Sequence, residues 1–324
     1  MDIQHIEDAA IRLQGQIRTT PLLESPLLNA RLQRRLLVKA ECLQITGSFK
    51  FRGAFSALST LTEAERDRGV IAYSSGNHAQ GVAFAAHQLG IPATIVMPDD
   101  APKMKLANTQ AYGARVVTYR RGVDSREALG VELAERQQLR LIKPYDEPLV
   151  IAGQGTVGLE IATQALALGI NKATVLTCCG GGGLTAGIAV ALATQAPKFR
   201  VIPCEPDHFD DTARSLAGAE RVRNASETGS ICDAIVTPEP GELTLPILRQ
   251  YCPFGLTASD AEVVQAMRIA FEYFKLVVEP GGAIALACAL REDHRQTLGD
   301  DPIIVTASGG NVDTALFLSL IHDA

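Results

Sequence analysis

The chain has no uninterrupted apolar run of the roughly 20 residues that a membrane span requires, and no block of basic residues. The first absence argues against a membrane partner. The second, with a formal net charge of -6, argues against nucleic acid and leaves a small molecule as the default ligand. No C-x-x-C pair occurs. The seven cysteines (Cys42, Cys178, Cys179, Cys204, Cys232, Cys252 and Cys288) form an odd set, indicate neither a disulfide framework nor a thiolate zinc site, and read as reduced core residues. No G-x-G-x-x-G with an acidic residue about 20 positions later follows the first strand, which weakens a Rossmann dinucleotide site. There is no internal repeat or low-complexity segment. The N-terminus, Met1-Asp-Ile-Gln-His-Ile-Glu-Asp8, is acidic where a signal peptide would be basic, so a cytoplasmic location is expected.

What remains is an ordinary globular composition. The 324 residues, 47% apolar and 20% charged, suffice for two domains with sizeable cores. Apolar strand-like runs alternate with helical patterns, the mark of a largely parallel sheet covered on both faces. Val70 to Tyr73 leads into a helix from Asn77 to Leu89, and Ala93 to Met97 into one from Lys103 to Tyr112. Arg115 to Tyr119 follows, then Ser125 to Gln137 and Leu139 to Ile142, and these units form a compact subdomain. A second series runs from the helix Ile151 to Leu166 through strands Ala173 to Cys179 and Arg200 to Glu205. Ser259 to Lys275 reads as one long amphipathic helix, and Pro302 to Ala307 as a closing strand.

Four consecutive glycines, Gly180 to Gly183, lie between an apolar run and a small-residue helix starting at Leu184. Strand, glycine loop and helix in that order describe a phosphate cradle, because glycines let successive N–H groups converge on an anion at the positive end of a helix. In Thr46-Gly-Ser-Phe-Lys-Phe-Arg-Gly53, a lysine follows a turn supplied by Gly47 with Ser48 as N-cap, and Phe49 and Phe51 flank it. Such a setting lowers the pKa of Lys50 by desolvation and frees its amine to attack an aldehyde. A phosphate cradle with one such lysine suggests pyridoxal phosphate (PLP). Ser74-Ser-Gly-Asn-His78 joins a strand to a helix at the C-terminal edge of the sheet, where open α/β folds bind ligands, and suits a substrate carboxylate. Glu279-Pro-Gly-Gly-Ala283 and Thr306-Ala-Ser-Gly-Gly-Asn311 read as turns that open helices or as pocket walls. Glu205-Pro-Asp-His-Phe-Asp-Asp211 offers oxygens for Mg²⁺, Mn²⁺ or Ca²⁺, or else acidic N-caps.

Gly-Ser-Phe-Lys-Phe-Arg-Gly-Ala, Ser-Ser-Gly-Asn-His-Ala-Gln-Gly, the tetraglycine, Glu-Pro-Gly-Gly-Ala and Ser-Gly-Gly-Asn, in this order, resemble the fold-type II PLP enzymes, within them the serine/threonine dehydratase and serine racemase family. The resemblance runs from about Thr19 to the C-terminus. It implies an α/β fold of two open, largely parallel twisted sheets with helices on both faces, similar to the tryptophan synthase β chain, with the cofactor between the domains. Residues 1–65 and 148–324 would form a discontinuous large cofactor-binding domain, and residues 66–147 a small substrate-side domain.

The resemblance further implies Lys50 as the Schiff-base lysine, with Phe49 beside the ring, Asn77 on the ring hydroxyl and Glu279 in the ring pocket. Gly180, Gly181, Gly182, Gly183 and Leu184 would hold the phosphate, and Ser308 would face the pyridine nitrogen. A serine there does not enforce a protonated ring, so the ring is a weaker electron sink, and prompt elimination of a β-substituent suits the site. The implied reaction is dehydration and deamination of a 3-hydroxy amino acid, L-serine or L-threonine first, to a 2-oxo acid and ammonia. Ser75 matches the second acid/base of the racemases, so the Ser74-Ser75 pair tilts the chain toward that branch. Ser74, Ser75, Gly76, Asn77 and His78 would hold the substrate, and Arg126 a second substrate carboxylate, which makes 3-hydroxyaspartate an alternative substrate. Glu205, the Phe209 carbonyl and Asp211 match a divalent-cation site. Gln80, Tyr112, Lys275 and Asn311 match a nucleotide effector site, or else are ordinary interface residues. Relatives suggest a homodimer or homotetramer. The chain departs from the family pattern at Ala234, where glycine is usual, and at Tyr145, where asparagine often stands. Outside enzymes, the alternative is a catalytically silent ligand-binding homologue, against which Lys50 and Ser75 argue.

Overall fold

The computed structural model describes residues 1–74, 76–101, 103–120 and 123–322. Strands β1 (Leu22–Glu24) and β2 (Leu36–Lys39) pair antiparallel and start one sheet. Strands β3 (Val70–Tyr73), β4 (Ala93–Pro98), β5 (Arg115–Tyr119) and β6 (Arg140–Leu141) form a separate four-stranded parallel sheet in the order β5-β4-β3-β6. The chain then returns to the first sheet with β7 (Ala173–Cys178), β8 (Phe199–Pro206), β9 (Leu256–Ala258) and β10 (Ile303–Thr306). Its order is β1-β2-β10-β7-β8-β9, parallel except at β1. The architecture is the expected α/β fold with two mostly parallel sheets.

Helices on both faces explain why the strands are apolar runs rather than alternating ones: every residue of β2, β3, β7 and β10 is buried, including Val70, Ile71, Val175, Leu176, Ile303 and Ile304. The crossover helices Asn77–Leu89 and Gly183–Gln195 leave the C-terminal ends of β3 and β7 through short turns. Those turns, with the exit of β10, are where an open α/β sheet presents backbone groups to a ligand.

Three local readings differ from the structure. The strands β1 and β9, of three residues each, are too short to carry a periodic signal. The helix that Ser259 and Glu262 start with a reciprocal capping box is α-helical over Asp260–Ile269, widens into a π-turn over Ala270–Phe274 and stops at Lys275, whose φ is 60°. Ser48 does not cap the helix Lys50–Leu58: Phe49 is its N-cap, and the buried Ser48 hydroxyl has no partner among the described residues. Ser48 is instead bridged through its backbone to Gly309, and the Phe49 N–H donates to the Ser308 carbonyl at 3.2 Å. The first turn of that helix is therefore tied to the strand exit at β10.

A buried charge cluster holds the same helix from its other side. Arg52, fully buried, donates to both carboxylate oxygens of Glu41 at 2.8 Å and to Glu160 at 2.7 and 3.0 Å. Its Nη1 also reaches Thr156 at 3.1 Å. Lys39 on β2 completes the cluster, pairing with Glu160 and donating to the Thr20 carbonyl at 2.7 Å. Two cations and two anions thus join β2, the helix Lys50–Leu58 and the helix Pro148–Ala167.

Candidate active site

A cavity opens at the C-terminal ends of β3, β7 and β10, with walls contributed from both sheets. Two lysines line it, Lys50 and Lys105, and their surroundings give them opposite chemistry. Lys50 Nζ donates to the Pro144 carbonyl at 2.7 Å and lies 5.0 Å from the centre of the Phe49 ring. Burial is the cause that lowers its pKa from 10.5 to about 8, so an appreciable fraction is a neutral amine near pH 8. Lys105 Nζ lies 3.5 Å from Glu279 and 3.8 Å from Asp233. Burial works against its charge, but the two carboxylates outweigh it and raise its pKa, so Lys105 stays an ammonium. Of the two, Lys50 is the one suited to nucleophilic attack on an aldehyde.

The tetraglycine supplies what a phosphate needs. None of the N–H groups of Gly180, Gly181, Gly182, Gly183 and Leu184 donates to another described residue, and they lead into the helix Gly183–Gln195. Gly182 takes φ 89°, which turns the chain into the helix. The Tyr145 ring lies on Gly181 so closely that any side chain there would collide with it. Orphaned donors at a helix N-terminus form an anion site, and the cradle fits the phosphate of PLP.

Asn77, the first residue of its helix, is held at both ends: Nδ2 donates to Glu279 Oε1, and Oδ1 accepts from Asn311 at 2.7 Å. Glu279 Oε2 is buried with no hydrogen bond and faces Lys105; burial raises the Glu279 pKa, with Lys105 pulling the other way. Ser74, Gly76 and His78 also line the cavity, and Ser74 Oγ accepts from the Gly76 N–H at 3.1 Å. The His78 ring contacts the Ile142 carbonyl at 2.9 Å through Nε2, which must therefore carry the proton and leave Nδ1 bare and unpartnered. Burial, then the Lys50 charge, pushes its pKa down to about 3. Ser308, at the exit of β10, lines the cavity as well. Ser75 lies outside the described residues.

The family of "Pyridoxal-phosphate dependent enzyme" matches residues 13–309. The chain belongs to this family. An L-threo-3-hydroxyaspartate ammonia-lyase of Pseudomonas sp is 44% identical over 97% of this chain and 96% of its own length. A serine racemase of Schizosaccharomyces pombe is 38% identical over 95% of this chain and 93% of its own length. Among solved structures, a maize serine racemase superposes with a TM-score of 0.92 at 34% identity, covering 99% of this chain and 97% of that one. Ammonia-lyases and racemases are thus the relatives of this family member.

Other expected residues occupy three further places. Arg126, the first residue of the helix Arg126–Gln137, lines the cavity, and its Nε is buried without a hydrogen bond; Glu127, at 3.7 Å, is its ion-pair partner. Glu205, at the end of β8, accepts from the N–H groups of Thr212 and Ala213 at 2.9 and 2.8 Å, which is the acidic N-cap reading. Asp211 accepts from Asn224 at 2.6 Å, yet its Oδ2 is buried and unpartnered, and the Phe209 carbonyl accepts no hydrogen bond from a described residue. Burial raises both acids, Glu205 well above its ordinary value and Asp211 to about 7. Two buried carboxylates with an orphaned oxygen fit a divalent cation, while no group of three or more acidic, histidine or cysteine side chains suited to a metal occurs among the described residues. Asn311 reaches Asn77 directly, and Gln80, one turn further along the Asn77 helix, has its Nε2 buried and unpartnered. Tyr112 packs its ring on Phe84 at 5.0 Å, and Lys275 donates to the Glu272 carbonyl at 2.6 Å.

Sequence reasoning missed Lys105, Asp233 and Tyr73, all on the cavity wall. Tyr73 closes an apolar strand and passes for core. Lys105 sits in a helix whose buried positions are Lys105 and Thr109, so the polar face is the inner one and the hydrophobic period gives no warning.

Proposed function

We propose that the protein is a PLP-dependent ammonia-lyase that eliminates water from a 3-hydroxy amino acid, after which one water is taken back as the released imine hydrolyses to a 2-oxo acid and ammonia. The observation that carries this reading is Lys50: an amine of lowered pKa in a cavity that is also lined by unsatisfied glycine N–H groups. When bound, the cofactor withdraws electrons from the substrate Cα through its conjugated ring. The chain does the rest. The N–H groups of Gly180 to Leu184 hold the phosphate, and the turn Ser74–His78 holds the α-carboxylate. Asn77, fixed by Glu279 and Asn311, lines the ring pocket and has one amide N–H beyond the one given to Glu279. Lys50 Nζ, whose neutral form is accessible, takes the Cα proton as general base, and the β-hydroxyl departs as water. Ser75, which lies outside the described residues, is the residue to which we assign racemase side activity.

L-Serine and L-threonine are the substrates favoured by sequence. The Arg126 guanidinium, with its Nε buried and free of hydrogen bonds, moves the preference to 3-hydroxyaspartate, whose second carboxylate it would meet. The test is ammonia release from L-serine, L-threonine and L-threo-3-hydroxyaspartate, in wild type and in Arg126→Ala. A loss of about a hundredfold or more is expected on the dicarboxylate, as for truncating one partner of a buried charge pair, and much less on threonine. Equal losses would remove Arg126 from substrate choice.

The same reading assigns Mg²⁺, Mn²⁺ or Ca²⁺ to Glu205, the Phe209 carbonyl and Asp211, supported by the orphaned Asp211 Oδ2. An acid whose folded pKa is raised stabilises the fold only at low pH; that contribution is lost as pH climbs from the ordinary 3.8 of Asp211 to about 7. Metal-free protein should therefore melt lower at pH 8 than at pH 6, and Mg²⁺ should restore more at pH 8, where both carboxylates are more readily ionised. A calorimetric Mg²⁺ effect equal at both pH values, or one that survives Asp211→Asn, would count against the site. A homodimer or homotetramer, and a nucleotide effector at Gln80, Tyr112, Lys275 and Asn311, complete the proposal. The buried free Nε2 of Gln80 is the support for the effector.

A further inference from the structure

Beside Arg126, the cavity is lined by two phenols, Tyr73 and Tyr145. Tyr73 ends β3, and its ring is pressed against Gly130, where an added Cβ would lie 2.8 Å from the ring. Gly130 belongs to the helix that Arg126 begins, so one packing contact places both side chains. Tyr145 comes from the loop that also supplies Pro144, the carbonyl partner of Lys50, and its ring lies flush on Gly181. Neither hydroxyl makes a hydrogen bond to a described residue. The Nε of the guanidinium beside them makes none either. Burial raises the pKa of both phenols, that of Tyr73 to about 12, so they remain O–H donors. Tyr73, Tyr145 and Arg126 line one cavity, and Glu127 joins the two phenols along its continuation.

Arg126 Nε is buried with no hydrogen bond to a described residue, and the two phenols that line the same cavity have O–H groups that no described residue accepts; a ligand that brings acceptors would satisfy all three donors. The methyl group of threonine cannot, and the bare β-carbon of serine cannot. A carboxylate can, since it offers about four lone-pair sites and takes a guanidinium fork and two hydroxyls at once. We infer that Tyr73 and Tyr145, together with Arg126, form the subsite for the second carboxylate of a dicarboxylic substrate and determine the preference among 3-hydroxy amino acids. The inference deepens the proposed function and rests on it. It also explains the aromatic at position 145: the phenol reaches the substrate while its ring closes over the glycine loop. Asp233, the negative group on the same cavity wall, is paired with Lys105 and so does not stand unopposed against a dianion. Sites built to hydrogen-bond a substrate group reject analogues that lack it, because the site's own polar groups are then left unpaired.

The experiment uses holoenzyme of the wild type, Tyr73→Phe, Tyr145→Phe and the double variant. Two readouts are taken: kcat/KM for L-threo-3-hydroxyaspartate and for L-threonine, and binding of malonate and of acetate by titration calorimetry. Each single variant is expected to lose about tenfold or more on the dicarboxylate relative to its loss on threonine, and to bind malonate correspondingly less well relative to acetate. Equal losses on the two substrates, or a malonate affinity within about twofold of wild type in the double variant, overturn the inference. A wild type that releases ammonia from threonine but binds malonate no better than acetate overturns the subsite and leaves the ammonia-lyase reading intact. Failure to release ammonia from any substrate sinks that reading, and the calorimetry still decides the subsite.

Discussion

Replacing Lys50 with alanine is expected to lower ammonia release by at least about a thousandfold, because in the proposed function one residue supplies both the covalent anchor and the general base. Borohydride reduction of wild-type holoenzyme followed by peptide mass spectrometry should place the label on Lys50. Lys105 is the informative control, since it lines the same cavity. Its two carboxylate neighbours keep it protonated, and a protonated amine cannot attack an aldehyde. Label on Lys105, or on no lysine, would overturn the assignment. The pH dependence has a definite sign. Lys50 is depressed from 10.5 to about 8, so the rate at which apo protein takes up the cofactor should rise with pH to about 8 and flatten above it. An ordinary surface lysine would keep gaining to above about pH 10.

The second large effect is on stability. Arg52→Met should cost about 3–5 kcal/mol, because it leaves Glu41 buried and charged with its main partner gone. Glu41 is held below its ordinary pKa: burial pushes it up, and Arg52 more than compensates. Without Arg52 the balance reverses, and the acid must be protonated or drag water inward. The double variant Arg52→Met with Glu41→Gln should recover part of the loss, since it removes both charges. Urea unfolding of the apo proteins measures this directly. A loss below about 1 kcal/mol would mean that the cluster is hydrated in solution. The consequence reaches the chemistry, because Arg52 and Lys50 share the first turn of one helix. A loosened helix should show reduced cofactor occupancy even in protein that remains folded.

The segments that line the candidate site were legible in the sequence for a physical reason: they are backbone turns, and turns are written locally. Four glycines before a helix leave their N–H groups free whatever the rest of the chain does, and the turns at Ser74 and Ser308 follow from the strands before them. Lys50 stood out by company, and it lines the same cavity. What sequence could not give is what distant segments do to one another. Lys103 and Lys105 look alike on one helix, yet the first is exposed and the second is buried against Glu279, far along the chain, at 3.5 Å. The Ser48 hydroxyl looked like a cap, but pairing with Gly309 draws its backbone away. Arg52 belongs to the motif that carries Lys50, and nothing nearby in sequence announces that Glu160 will meet it. Tyr145 was noticed as a departure from the family pattern, and its ring proved to lie on Gly181.

The imidazole at position 78, neutral down to a pH of about 3, has a consequence for kinetics. Histidine is the usual suspect when an enzyme's rate bends near neutral pH. Here the ring is neutral at every pH at which the protein would work, since its proton sits on the nitrogen facing Ile142 and a second arrives only near a pH of about 3. An inflection observed around neutral pH therefore does not belong to this imidazole, and a mutant lacking it should keep the same inflection.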